Sequence, residues 1–89
     1  MELEKGLVSG SMSLLVLKLL EDGDLYGYQM IDELRRRSED AFRLKAGTLY
    51  PLLHTLEEKG FVTAYEQTAE SGKARRYYHL TKQGRGALR

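Results

Sequence analysis

The sequence predicts a mainly α fold with a small β-hairpin (α+β). Three observations support this class: apolar residues recur at helical spacing in three early segments, two segments rich in β-branched and aromatic residues follow, and basic residues gather near the C-terminal end. At 89 residues the chain is expected to be one domain, residues 1–89, near the size at which a single core just suffices.

Charge is divided unevenly along the chain. The formal net charge is only +1, yet residues 71–89 hold six basic residues and no acidic one, while the other seventy hold eight basic and thirteen acidic residues. Such a region can approach phosphates, although an uneven but merely solvated surface is the alternative. The chain lacks cysteine and has no apolar run long enough for a bilayer. These features predict a cytoplasmic protein without disulfides or membrane contact.

The first two helices are predicted from apolar residues spaced three and four positions apart. The first ends at Asp22-Gly23. The sequence does not decide whether this helix extends toward the N-terminus, because Gly6 and Gly10 are weak helix formers. Leu25-Tyr26, ahead of the second helix, has the composition of a very short strand. The apolar positions are Met12, Leu15, Val16, Leu19 and Leu20 in the first helix, and Gly27, Met30, Ile31 and Leu34 in the second.

A third helix is predicted over residues 46–59. Proline fits only the first helical turn, so either Thr48 is the N-cap or the helix begins near Ala46 and is distorted at Pro51. Gly60 is a natural end. The leucines that must face the core are Leu49, Leu52, Leu53 and Leu56. At about 100° per residue, the opposite face presents Gly47, Tyr50, Pro51, His54, Thr55 and Glu58.

Residues 61–67 and 74–80 predict a β-hairpin with a long tip. Alternation along its second strand turns Tyr78 and Leu80 toward the core and places Arg75 and Arg76 on opposite faces. Thr81 can cap a final helix over residues 82–89, which its glycines weaken.

This order of elements is that of a winged helix-turn-helix: a three-helix core, a wing and the start of a C-terminal helix. The fold implies double-stranded DNA as partner, with helix 46–59 in the major groove and wing 66–76 on the flanking backbone. The candidate DNA-binding residues are Lys45, Thr48, Tyr50, His54, Thr55, Lys73, Arg75 and Arg76.

Other roles are open to these residues. Tyr50 can pack at a helix junction, His54 can be merely solvated, and one of Arg75 and Arg76 can pair with an acid or cover the sheet. An enzyme is rejected because the chain has no glycine-rich phosphate loop and no zinc-helix pattern, so no catalytic residue, metal or cofactor is expected. A winged helix that binds a protein instead of DNA remains the alternative.

Three motifs resemble those of the PadR family of bacterial and archaeal transcriptional regulators, and together they span about residues 12–86. They are Leu25-Tyr26-Gly27-Tyr28, the run from Gly47 to Leu53 with Leu56 to Gly60, and Gly72 to Tyr78 leading to Leu80-Thr81 and Gly84. The resemblance implies a repressor that binds a palindromic operator as a homodimer. In some members a small aromatic or drug-like molecule bound at the dimer interface releases the DNA.

The chain departs from the family pattern in two places. Lys45 stands where members commonly have Ser or Asn, so the side-chain cap of the third helix is missing. Members dimerise through a long C-terminal helix, but only eight residues follow Thr81, roughly 12 Å of helix at about 1.5 Å per residue. We therefore expect residues 82–89 to be the start of a truncated dimerisation helix, or the chain to be a short relative; the alternative is a dimer that depends on the N-terminal segment and the first helix.

Overall fold

A computed structural model describes the backbone of residues 5–39 and 44–88 and the side chains of residues 12–39 and 44–88. The predicted α+β class is confirmed, because these residues form helices and a three-stranded antiparallel sheet with strand order β1-β3-β2. The elements are α1 (Lys5–Leu19), a 3₁₀ turn (Leu20–Asp22), β1 (Leu25–Tyr26), α2 (Gly27–Arg37), α3 (Ala46–Glu58), β2 (Val62–Thr68), β3 (Ala74–Leu80) and α4 (Lys82–Ala87).

The core lies between α1, α2, α3 and one face of the sheet. It is apolar throughout, with no buried polar or charged residue among the side chains described. Each buried leucine or methionine contributes about 1.5–3 kcal/mol through removal from water. The core residues are Val16, Leu17, Leu19, Leu20, Met30, Leu34, Leu44, Leu49, Leu53, Leu56, Val62, Tyr78 and Leu80. No helix in the described parts of the chain is long and apolar enough to cross a membrane.

Helix α3 begins at Ala46, so the alternative with Thr48 as N-cap is wrong. Lys45 is the N-cap and makes no side-chain capping bond, while its carbonyl accepts from the Leu49 N–H at 2.9 Å. The helix continues through Pro51, which has no N–H to donate to the carbonyl of Gly47. Packing of the leucines therefore outweighs one missing hydrogen bond.

The predicted end of α3 at Gly60 is confirmed. Gly60 has φ 80°, in the left-handed region that glycine adopts without strain. Its N–H donates to the Glu57 carbonyl at 3.0 Å, and the Phe61 N–H donates to the Leu56 carbonyl at 2.9 Å. These two bonds close the helix with a Schellman turn and lead the chain directly into β2.

The hairpin is close to its predicted form, with β2 beginning at Val62 instead of Phe61. The register pairs Val62 with Leu80 and Thr68 with Ala74. The short strand predicted at Leu25-Tyr26 is also confirmed, and it pairs with Tyr78 and Tyr77 of β3. This third strand ties the start of α2 to the wing.

Helix α4 is attached to the end of α3. The Thr81 hydroxyl accepts from the Gly84 N–H at 3.0 Å and donates to the Gly60 carbonyl at 2.7 Å, and the Gln83 side chain donates to the Lys59 carbonyl at 2.9 Å. A Cβ on Gly84 would lie 2.2 Å from the Phe61 carbonyl oxygen. Gly84, a weak helix former, is therefore required by close backbone packing.

Candidate nucleic-acid interface

The face of α3 opposite the buried leucines is exposed, as predicted. It presents hydroxyl, imidazole and carboxylate groups but no lysine or arginine. The exposed residues are Gly47, Thr48, Tyr50, Pro51, His54, Thr55 and Glu58, and Lys45 just before the helix is exposed too. This surface offers hydrogen-bonding groups with little positive charge.

Tyr50 is partly exposed and also packs at a helix junction. Its side chain is 43% exposed, yet its hydroxyl lies against the backbone of Gly27, where a Cβ would be only 2.1 Å from that oxygen. Burial raises the pKa of Tyr50, so the hydroxyl remains a protonated donor at neutral pH. The glycine of one motif thus makes room for the tyrosine of another.

His54 and Thr55 lie further along the same face. The His54 ring is 73% exposed, and its Nε2 lies 3.6 Å from a carboxylate oxygen of Glu58. The Thr55 hydroxyl donates to the Pro51 carbonyl at 3.2 Å, so its oxygen is left as an acceptor. Both side chains can meet a partner from solvent without rearrangement of the core.

The two wing arginines have different intramolecular partners. Arg76, on the helix-facing side of β3, lies 3.3 Å from a carboxylate oxygen of Glu57 on α3. Arg75, on the other side, stacks over the ring of Tyr26 with its guanidinium carbon 4.4 Å from the ring centroid. Among the residues that the structure describes, no carboxylate forms an ion pair with Arg75 or Lys73. Within this part of the chain, the positive charges of Lys73 and Arg75 have no ion-pair partner.

A groove of about 180 Å³ joins the wing to α3 and the start of α2. It brings four of the predicted residues to one place: Tyr50, Lys73, Arg75 and Arg76. Sequence reasoning missed Tyr28, which is 69% exposed; its position directly after Gly27 in a motif was the available signal. The lining residues are Tyr26, Gly27, Tyr28, Tyr50, Lys73, Ala74, Arg75 and Arg76.

Aromatic side chains on the outer face of the sheet hold β1 in place. The ring of Tyr77 stacks on Tyr65 at 5.7 Å and meets Tyr26 edge-on at 5.3 Å. The Tyr65 hydroxyl donates to Asp24 at 2.7 Å, and Nδ1 of His79 lies 2.8 Å from the other carboxylate oxygen. These rings are engaged with one another, as expected for sheet packing rather than for base stacking.

The three consecutive arginines at the end of α2 form ion pairs with acidic residues of the same chain. Arg36 contacts both Asp32 and Glu33. Arg37 lies 2.9 Å from Glu33 and 3.5 Å from Asp22. Because nearby acids offset these charges, the wing is the stronger source of positive potential.

Residues 16–89 of this chain match the transcriptional regulator PadR-like family. Transcriptional regulator Rv3488 of Mycobacterium tuberculosis is 40% identical over 73 residues, which cover 82% of this chain and 64% of that protein. An uncharacterised protein of Lysinibacillus sphaericus is 32% identical over 82 residues, 92% of this chain and 75% of that protein.

Solved structures of transcriptional regulators have the same fold as this chain. A transcriptional regulator from Clostridium thermocellum superposes with a TM-score of 0.84 at 30% identity, covering 94% of this chain and 81% of that one. A PadR family transcription regulator from Clostridium difficile gives 0.74 at 33% identity, with coverage of 89% and 80%. The resemblance and the winged helix are confirmed, and so is the rejection of an enzyme. This chain belongs to the PadR-like family of transcriptional regulators.

Proposed function

We propose that the chain is a repressor that binds a palindromic operator sequence-specifically as a homodimer. One observation carries the proposal: Tyr50, on the exposed face of α3, and the wing cations Lys73 and Arg75 line the same groove. In this arrangement α3 enters the major groove and wing residues 66–76 follow the flanking backbone. The protein acts in the cytoplasm, where its operator is accessible.

The two elements supply different contacts. Thr48, Tyr50, His54 and Thr55 offer hydrogen bonds to base edges and phosphates, but α3 lacks the arginine or asparagine that usually reads bases with two bonds. Sequence preference then rests on single hydrogen bonds and DNA shape. Attraction to the backbone comes from Lys45, Lys73, Arg75 and Arg76.

An apolar surface between α1 and α4 supports the homodimer. Leu14 is 47% exposed, and it lies with Leu15, Lys18 and Leu88 around one depression. If a second copy covers these residues, binding to a palindrome requires that the two α3 helices lie on successive turns of the duplex, about 34 Å apart. A small aromatic effector at this interface would release DNA by changing that spacing.

The test is selection of bound sequences from a random pool of duplex DNA, with the stoichiometry of the recovered complex measured by sedimentation. We expect a palindrome with half-sites about one helical turn apart and two chains per duplex. When the recovered sequence is placed before a reporter gene, expression of the reporter should be lower in the presence of the protein than in its absence. No enrichment and no salt-dependent binding would instead support the protein-binding winged helix.

The same selection assigns the helix contacts. Tyr50→Ala and His54→Ala should each weaken operator binding, because both side chains face outward from α3. If either variant binds the operator with unchanged affinity, the replaced residue does not contact the DNA.

A further inference from the structure

The groove between the wing and the start of α2 contains hydroxyl groups beside uncompensated cations. We propose that this groove binds one phosphodiester of the DNA backbone in each half-site, held by Tyr28, Tyr50, Lys73 and Arg75. The inference rests on the proposed DNA binding, and it adds a specific subsite and a new contact residue, Tyr28.

The groove has the size that one backbone phosphate needs. Its volume is about 180 Å³, several times the roughly 30 Å³ that one water occupies in the liquid. Tyrosine side chains line one part of it and residues 73–76 of the wing line another. A phosphate has room there together with a bridging water.

Arg75 is held in place for this contact. The ring of Tyr26 lies under its guanidinium at 4.4 Å, and stacking on a ring face leaves the N–H groups at the guanidinium edge able to bond phosphate oxygens. Arg76 also lines the groove, but its guanidinium is engaged with Glu57. Arg75 and Lys73 are therefore the cations available to an incoming anion.

The hydroxyls complete the subsite. Tyr50 is seated against Gly27, and burial raises the pKa of its hydroxyl, so a proton is present to donate. Tyr28 follows Gly27 and is largely exposed, so its hydroxyl can turn toward a phosphate at little cost. Neutral donors of this kind bond phosphate oxygens without reading the base sequence.

The test begins with Tyr28→Phe, which removes only an exposed hydroxyl. We expect at least about tenfold weaker binding to every duplex, as for one lost hydrogen bond to a charged group. The salt slope should stay unchanged because no charge is lost, whereas Arg75→Ala should reduce it by about one. Tyr65→Phe is the matched control, since its hydroxyl bonds Asp24 on the outer face of the sheet, and it should bind DNA like the wild type.

A methylphosphonate scan of the operator locates the phosphate. Neutralising one position per half-site should weaken binding of the wild type, and the same replacement should cost Tyr28→Phe at least threefold less because the two changes remove one contact. Equal losses in both proteins would overturn the subsite. The subsite would also be overturned if inorganic phosphate binds at submillimolar concentration without competing with duplex DNA, because the groove would then be a small-anion site unrelated to DNA binding. A wild type that binds no duplex would sink the proposed function as well; salt-dependent wild-type binding with an unaffected Tyr28→Phe sinks only the subsite.

Discussion

Helix α3 and the wing offer opposite chemistry to a duplex. Residues 46–58 contain two acidic residues and no lysine or arginine, whereas the wing, residues 66–76, contains three basic residues and two acidic ones. The helix is fixed by buried leucines, while the wing cations extend from the sheet beyond the core. In the proposed complex, α3 sets the register on the duplex and the wing provides the electrostatic attraction, so mutations should change one without the other.

The largest effect is expected from loss of wing charge. Arg75→Ala combined with Arg76→Ala should weaken binding to all duplexes about a hundredfold at low salt and reduce the salt slope by more than one, because Glu57 offsets part of the Arg76 charge. Fluorescence anisotropy across a salt series measures both quantities. Arg85→Ala is the control for charge loss outside the wing, because it removes one positive charge from α4, near Glu21. An unchanged slope in the double variant would remove the wing from the interface.

A smaller effect is expected from Gly27→Ala, which tests how α3 is positioned. The new Cβ would occupy the place of the Tyr50 hydroxyl, and that half-exposed side chain must swing away. Operator affinity should fall about tenfold while the melting temperature stays nearly constant, because the displaced atoms are at the end of a flexible side chain. In a chain that already carries Tyr50→Ala, Gly27→Ala should add little.

Gly86→Ala provides the control, since a Cβ there meets open space. Full additivity of Gly27→Ala and Tyr50→Ala would contradict the proposed contact between the two motifs.

Removing an acid from α3, instead of a cation from the wing, should strengthen DNA binding. Glu57→Gln removes an acid that faces Arg76 at 3.3 Å. Affinity for random-sequence DNA should rise about threefold, as expected for loss of one exposed ion pair, and the salt slope should steepen. Glu21→Gln, which removes an acid paired with Lys18 on α1, is the control and should leave both unchanged. A decrease in affinity would mean that Glu57 orients Arg76 productively.

The smallest effect concerns stability. Burial alone would raise the pKa of Asp24, but the hydrogen bond from Tyr65 and the contact with His79 outweigh it and lower that pKa. The stabilisation is therefore complete above the unfolded pKa, about 3.9, and is lost as the pH falls through the folded value. At pH 7 Asp24→Asn should cost about 1 kcal/mol of unfolding free energy, with DNA affinity unchanged.

Thermal melts of the wild type and Asp24→Asn between pH 7 and pH 3 check this. The difference between them should shrink below pH 4. A gap that stays constant would mean that the carboxylate charge contributes nothing.

Local sequence pattern predicted the core side of the molecule well. Leu49, Leu53 and Leu56 are buried and Gly60 ends the helix, because period and backbone freedom are local properties. The start of α3 was harder, since the cost of Pro51 had to be weighed against burial of leucines whose neighbours come from other elements.

The partners of the candidate site could not be predicted from pattern. Arg76 meets an acid 19 residues away, and Arg75 stacks on a ring in a different strand. The contact between Tyr50 and Gly27 likewise joins two motifs that only the folded chain brings together. Residue types indicated which groups could meet DNA, but not which of them the protein itself had already engaged.

The junction of α3 with α4 makes the two helices one mechanical unit. Thr81 and Gln83 bond the carbonyls of Gly60 and Lys59, and Gly84 has no room to slide past Phe61. Through these bonds, residues 59–61 connect the start of α4 directly to the end of α3. We therefore expect a ligand that displaces α4 to change the position of α3 as well, without contacting the DNA.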